Sequence, residues 1–198
     1  VRLLNMDGLL AGVDEAGRGA LAGPVVAAAV VLPAGGRVAG VRDSKQLAPG
    51  RRAVLERRIR IECLCWAVGL ATVEEIDRLN ILQASLLAMH RALGGLSRRA
   101  ALVRVDGPHL PELPLGWRDR VQLQAMIGGD RRCPAIAAAS VLAKEWRDRA
   151  MRQLDLRWPG YRLAQHKGYG VPAHRLALQR LGASPAHRMS FRPVSDAF

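Results

Sequence analysis

Lysine is scarce in this sequence. Of 30 basic residues only Lys45, Lys144 and Lys167 are lysines, and the rest are arginines. Such a skew reads as a compositional bias of the source. A lysine that persists against it marks a place for a compact point charge, which a planar guanidinium does not imitate. Acids are also few, 17 in 198 residues, and the formal net charge is +13. A surplus of this size says little about fold. It favours a polyanionic partner, because basic side chains displace the counterions condensed on phosphates. The three cysteines, Cys63, Cys65 and Cys133, show no C-x-x-C spacing. That excludes a disulfide framework and a Cys-based structural zinc site. Cys63 and Cys65 alternate within an apolar run and read as core thiols. The longest apolar run, residues 25–32, is too short to cross a bilayer. Asp7, Asp14 and Glu15 interrupt any leader-like stretch near the start. The expectation is a cytoplasmic protein with no membrane partner.

The chain length fits one domain with a small appendage. Residues 9–13 and 25–32 read as adjacent buried strands separated by a Gly-rich segment, and 38–41 as a third short strand. Pro49 and Gly50 break the chain before an arginine-rich amphipathic helix over 51–61, and 63–71 reads as a strand. Thr72 with Glu75 makes a capping box that opens a short helix over 73–79. A longer helix over 81–96 follows, ended by Gly94 and Gly95. Strands are predicted at 101–105 and 121–127, with a proline-containing loop at 108–117 between them. A long helix spans 134–156, stopped by Trp158-Pro159-Gly160, and a last helix covers 171–181. No repeat or low-complexity segment is present. Strands first, then strands alternating with helices, predict an α/β domain with a mixed sheet.

The informative feature is where four of the acids fall. Asp14 and Glu15 close the first buried strand, Asp106 closes the strand at 101–105, and Asp130 follows the strand at 121–127 just past two glycines. A carboxylate beside a buried strand is costly unless paired or bound to a metal. Two of them about 4 Å apart repel by roughly 4 kcal/mol at an effective dielectric near 20. A divalent cation reverses that sign, and hard oxygen donors without histidine suit Mg²⁺ or Mn²⁺. The bland alternative is that each acid caps a helix or closes a turn, as Asp106 before Gly107 readily would. Successive side chains of a regular strand point to opposite faces. Asp14 and Glu15 can therefore share one site only if the backbone leaves the strand at Glu15, a departure that Gly17 and Gly19 would permit.

Several strings resemble those of a known family, in order and along nearly the whole chain. They are Gly-Val-Asp-Glu-Ala-Gly-Arg-Gly at 12–19 with Ala-Leu-Ala-Gly-Pro at 20–24, Asp-Ser-Lys at 43–45, Val-Asp-Gly at 105–107 and Gly-Asp at 129–130. Ala-Ala-Ala-Ser-Val-Leu-Ala-Lys at 137–144, Arg-Asp at 147–148, Gln-His-Lys-Gly-Tyr at 165–169 and His-Arg-Met-Ser-Phe at 187–191 complete the series. The chain is identified by them as similar to the type 2 ribonucleases H. The resemblance implies a ribonuclease H-like fold, with a catalytic domain over 1–160 and a C-terminal helical extension over 161–198. It implies an endonuclease that cuts the RNA strand of RNA/DNA hybrids and cuts 5′ of single ribonucleotides in duplex DNA, leaving a 3′-hydroxyl and a 5′-phosphate. It implies two Mg²⁺ or Mn²⁺ ions held by Asp14, Glu15, Asp106 and Asp130 when substrate is bound. A monomer is expected.

By the same resemblance Gly17, Arg18 and Gly19 sense the ribose 2′-hydroxyl, largely through backbone groups. Tyr169 packs on the sugar of the next nucleotide, and Ser44 and Lys45 contact phosphate. Glycines let a backbone approach a sugar closely, and the 2′-hydroxyl is what separates RNA from DNA. Asp148, one helical turn from Lys144, needs no metal to explain it and reads as structural. For His166 a structural hydrogen bond outweighs a part in proton transfer. Two positions depart from the family pattern: Gly128 stands where lysine is common, and Gly170 follows Tyr169 where a stiffer residue is expected. The second puts the rigidity of the tyrosine loop in question. A non-catalytic RNA-binding protein on the same fold is the rival from another class, though such a protein would usually have lost one of the four acids.

Overall fold

The computed structural model of the chain describes residues 9–33, 35–41, 49–117 and 120–196. Ser44 and Lys45 lie outside the described residues. Five strands form one sheet: β1 (Leu10–Ala16), β2 (Val25–Leu32), β3 (Cys65–Ala71), β4 (Leu102–Asp106) and β5 (Gln122–Met126), in the spatial order β3-β2-β1-β4-β5. β1 pairs antiparallel with β2, and β2 with β3; β1 runs parallel to β4, and β4 to β5. The sheet is mixed, as expected from strands that come first in a row and then alternate with helices.

β2 explains why the sheet is sandwiched. All eight of its residues are buried. Val25, Ala27, Ala29 and Val31 join one core cluster, with α3 (Ile81–Gly94). Ala28, Val30 and Leu32 join the other, with α1 (Pro49–Glu62) and α5 (Pro134–Arg157). Alternate side chains of a strand face opposite layers, so a continuous Val/Ala run is what two covering layers require. Each fully buried Val or Leu contributes about 1.5–3 kcal/mol. Small residues let α5 lie close to the sheet. Ala135, Ala137, Ala138 and Ala139 are buried in its first turns, and a Cβ on Gly12 would stand 2.1 Å from the Ala135 carbonyl carbon.

Three local expectations are corrected. Residues 38–41 form no strand; the Val41 N–H donates to the Val38 carbonyl in a turn, and both valines bury against α1. Their apolar character reflects that burial, not strand pairing. Pro49 opens α1 instead of breaking the chain before it, since its fixed φ suits a first helical turn and its missing N–H is not needed there. The strand predicted over 63–71 begins only at Cys65, because the Cys63 N–H still donates to Ile59 at the end of α1. The capping box is present: Thr72 Oγ1 accepts from the Glu75 N–H at 3.2 Å and Glu75 Oε2 from the Thr72 N–H at 3.0 Å, opening α2 (Val73–Leu79).

After α5 come α6 (Leu163–His166), α7 (Pro172–Leu181) and α8 (Arg192–Ser195), preceded by the short α4 (Gly129–Arg132) between β5 and α5. Tyr161, Leu163, Leu178, Ala186 and Val194 share a third cluster with Leu21, Ala22 and Met151. The C-terminal segment is thus packed onto the loop between β1 and β2. Among the described residues no helix is long and apolar enough to cross a membrane.

Candidate active site

β1 and β4 are parallel neighbours with Val13 opposite Val105. The next residue on each is an aspartate, so Asp14, inside β1, and Asp106, the last residue of β4, lie side by side. Asp14 is nearly inaccessible, and its Oδ1 accepts the Glu15 N–H at 2.8 Å. Asp106 Oδ1 accepts the Gly129 N–H at 2.7 Å, which ties the end of β4 to the start of α4. Asp130 is the next residue of that short helix, in its first turn.

The backbone does not leave the strand at Glu15. β1 stays paired with β2 through Glu15↔Ala27 and Ala16↔Val26, and the chain turns away only at Gly17, with φ +95°. Asp14 and Glu15 therefore start on opposite faces. It is β4 that stops, at Asp106. Burial pushes the Glu15 carboxyl above the usual range; Arg18 opposes the shift and the Asp106 charge adds to it. Arg18 Nη1 donates to Glu15 Oε1 at 3.3 Å. Among the described residues no group of three Asp, Glu, His or Cys could hold a metal ion as the side chains stand. What fits a hard divalent cation is the chemistry of the set: all donors are carboxylate oxygens, and the Asp106 charge acts on a half-buried Glu15. Glu15 would have to exchange Arg18 for the ion.

Beside these acids runs the segment 17–24, and its first two glycines differ. A Cβ on Gly17 would stand 1.9 Å from Arg147 Nε, and its φ is positive, so internal packing alone requires glycine. A Cβ on Gly19 would meet nothing within 4 Å. Its missing side chain leaves an approach open from outside. Tyr169 is brought to the same place by a bridge to Ala20, while the Leu21 N–H donates to Gly168 at 2.8 Å. Tyr169 is 39% exposed, and its ring centre lies 5.5 Å from the Arg147 guanidinium carbon.

The Gly170 departure does not leave the tyrosine loop loose. The Tyr169 carbonyl accepts from the Val171 N–H and from His174 Nδ1. His174 Nε2 faces His187 Nε2 at 3.0 Å, and His187 Nδ1 accepts the Ser184 N–H at 3.0 Å. These contacts fix both tautomers: His187 donates from Nε2 to His174, which donates from Nδ1 to Tyr169. Burial lowers the pKa of both imidazoles, that of His187 to about 4. His166 stacks on His174 and bonds the Tyr161 carbonyl through Nε2 at 2.8 Å, a structural contact.

Asp148 is buried on α5, where Lys144 and Arg52 both donate to it, the latter at 3.2 Å. Lys167 Nζ donates to the Ala164 carbonyl. Gly128 takes φ +66° as the residue before α4, a conformation in which a lysine would be strained. Two residues that the sequence reading passed over are also central here. Arg147 and Arg188 are almost wholly buried, and both donate to backbone carbonyls of the segment 17–24. Their place within the matched strings was the only sequence signal for them.

The profile of the ribonuclease HII family matches residues 11–194. Ribonuclease HII of Polaromonas sp. is 52% identical over 189 residues, covering 96% of this chain and 92% of that protein. Ribonuclease HII of Rhizorhabdus wittichii is 55% identical over 188 residues, covering 94% and 89%. Among solved structures, ribonuclease H2 from Pyrococcus horikoshii OT3 superposes with a TM-score of 0.80 at 27% identity, over 96% of both chains. Ribonuclease HII of Archaeoglobus fulgidus, solved in complex with PCNA, gives 0.72 at 27% identity, over 92% and 95%. A Bst ribonuclease HIII solved with Mn²⁺ gives 0.70 at 20% identity over 96% of this chain and 68% of that one, a likeness of fold alone. Matched from the strand that carries Asp14 to the last short helix, the chain belongs to the ribonuclease HII family, nucleases that hydrolyse the RNA strand of RNA/DNA hybrids.

Proposed function

We propose that this nuclease cuts on the 5′ side of ribonucleotides, including single ones embedded in duplex DNA, and leaves a 3′-hydroxyl and a 5′-phosphate. The observation that carries this reading is the meeting of two features. Asp14 and Asp106 lie side by side on adjacent parallel strands, and the segment that follows the first of them carries the open Gly19 and is bridged at Ala20 to the exposed Tyr169. Asp14, Glu15, Asp106 and Asp130 would hold Mg²⁺ or Mn²⁺, two ions once a substrate phosphate adds its oxygens. Bound there, such ions supply Lewis-acid stabilisation at the attacking and leaving oxygens of a phosphodiester.

The protein's own residues do the rest. Gly17, Arg18 and Gly19 would offer backbone to the ribose, and at Gly19 no side chain stands in the way, so a 2′-hydroxyl can be met directly. Tyr169, braced from behind by Arg147, offers a ring face to the neighbouring sugar. Ser44 and Lys45 would contact phosphate. The surplus positive charge draws the polyanion in, while the acidic strand ends gather the cations.

The direct test is cleavage of a labelled DNA duplex carrying one ribonucleotide, with Mg²⁺, with Mn²⁺ and with chelator, beside an all-DNA control. Metal-dependent cutting 5′ of the ribonucleotide with the control untouched is expected. Cutting of long hybrids alone would refute the sugar-sensing part; no cutting of either would refute the catalytic assignment.

A further inference from the structure

Arg188 lies in the string at 187–191, yet the chemistry proposed above gives it no part. Its side chain is fully buried. Nη2 donates to the Gly17 carbonyl at 2.8 Å, Nη1 to the Arg18 carbonyl at 2.9 Å and Nε to the Gly23 carbonyl at 2.9 Å. Arg147 holds other carbonyls of this region, donating to those of Ala22, Pro24 and Lys167 at 2.9–3.0 Å. Two guanidiniums are thus buried in contact with backbone carbonyls. For stability alone that arrangement is expensive, because two like charges are desolvated near each other. Burial and the nearby Arg147 lower the Arg188 pKa to about 9, which still leaves it charged at neutral pH. A planar fork of donors is what can hold two successive carbonyls at once.

The consequence follows from peptide geometry. In a trans peptide the carbonyl and the next N–H point in opposite directions. With the carbonyls of Gly17 and Arg18 drawn inward, the N–H groups of Arg18 and Gly19 face away from the guanidinium. Among the described residues neither amide has a hydrogen-bond partner. Beside them Gly19 carries no side chain and a Cβ there would meet nothing within 4 Å.

We propose that Arg188 is the positioning residue of ribonucleotide recognition: by holding the Gly17 and Arg18 carbonyls inward, it presents the Arg18 and Gly19 amides as a pair of donors to the sugar-phosphate of a ribonucleotide. This rests on the reading of 17–19 as the sugar-sensing segment. It adds that specificity is set by a residue that never touches substrate. The two buried charges also lend the donor pair a positive field, which suits oxygen acceptors.

Arg188→Lys keeps the charge but cannot reach two carbonyls in one plane. The measurement compares KM for a duplex with one ribonucleotide against the inhibition constant of the same duplex in all-DNA form, together with the melting temperature. The expected result is a KM about tenfold higher, the loss of roughly one well-placed hydrogen bond, with DNA inhibition unchanged and the fold intact. A merely structural role would lower the melting temperature and the active fraction but leave the ratio of the two constants alone, and that result would overturn the proposal. A wild-type enzyme with equal constants for both duplexes would instead sink the underlying reading of residues 17–19. Should the lysine variant fail to fold, amide exchange in the wild-type protein decides. Protection of the Arg18 and Gly19 amides by the ribonucleotide duplex and not by DNA supports the assignment; no protection overturns it.

Discussion

Asp14 is the residue on which the proposed chemistry leans most, being buried beside Asp106, the last residue of β4. Asp14→Asn keeps the shape and removes the charge. If the acids gather cations worth several kcal/mol to the transition state, a loss of about 4 kcal/mol lowers the rate roughly a thousandfold. Hybrid binding, supplied mainly by basic residues, should change little. Single-turnover cleavage beside a filter-binding assay checks both, and equal cleavage by both proteins at saturating metal would refute the role. The four acids stood out in the sequence because so few acids are present and each lies on or just after a predicted strand. The work of Arg147 and Arg188 was not legible. The carbonyls that Arg188 holds lie 165 to 171 residues away, and no local pattern announces a partner at that distance.

Elements were read well where a hydrophobic period or a cap defined them. The capping box of α2, the start of α5 and the run of β2 follow from local chemistry and recur in the structure. Errors fell where burial imitates strand character, at Val38 and Val41, and where a helix overran an apolar stretch at Cys63. The close seat of α5 on β1 is a tertiary matter and gives a sharp prediction. In Gly12→Ala the new Cβ meets backbone atoms 2.1 Å away that cannot rotate aside. The expected cost is about 3 kcal/mol, the upper part of the range for overpacked cores, read as a fall in the midpoint of urea unfolding. The buried pair of α7 and its following loop, His174 and His187, gives another. Both imidazoles have folded pKa values below the unfolded value near 6.5. Each therefore takes up its proton only on unfolding. Their contribution is complete above about pH 6.5 and is lost as pH falls toward 4, by an amount on the order of 2–3 kcal/mol for His187. A Tm that falls between about pH 7 and 5, and falls less in His187→Asn, is the expected outcome. A wild-type Tm that is flat over that range would contradict it.

At the scale of the whole molecule the net charge of +13 governs encounter with substrate. If about five phosphates are neutralised on a duplex, affinity drops roughly 500-fold between about 50 and 200 mM salt. A titration of hybrid binding against salt, plotted on logarithmic axes, gives the slope directly; a slope near zero would remove the electrostatic account. The sequence by itself determined the fold class, the family resemblance and the order of the motifs, because these rest on local period, composition and strings of residues. Only the tertiary structure decided that β1 stays a strand through Ala16, that β4 ends beside it, and that residues 161–196 fold back to grip the segment after Gly17. The physical reason is that register and carbonyl orientation depend on which distant chain supplies the partner. A buried guanidinium holding Gly17 from position 188 is a contact of that kind.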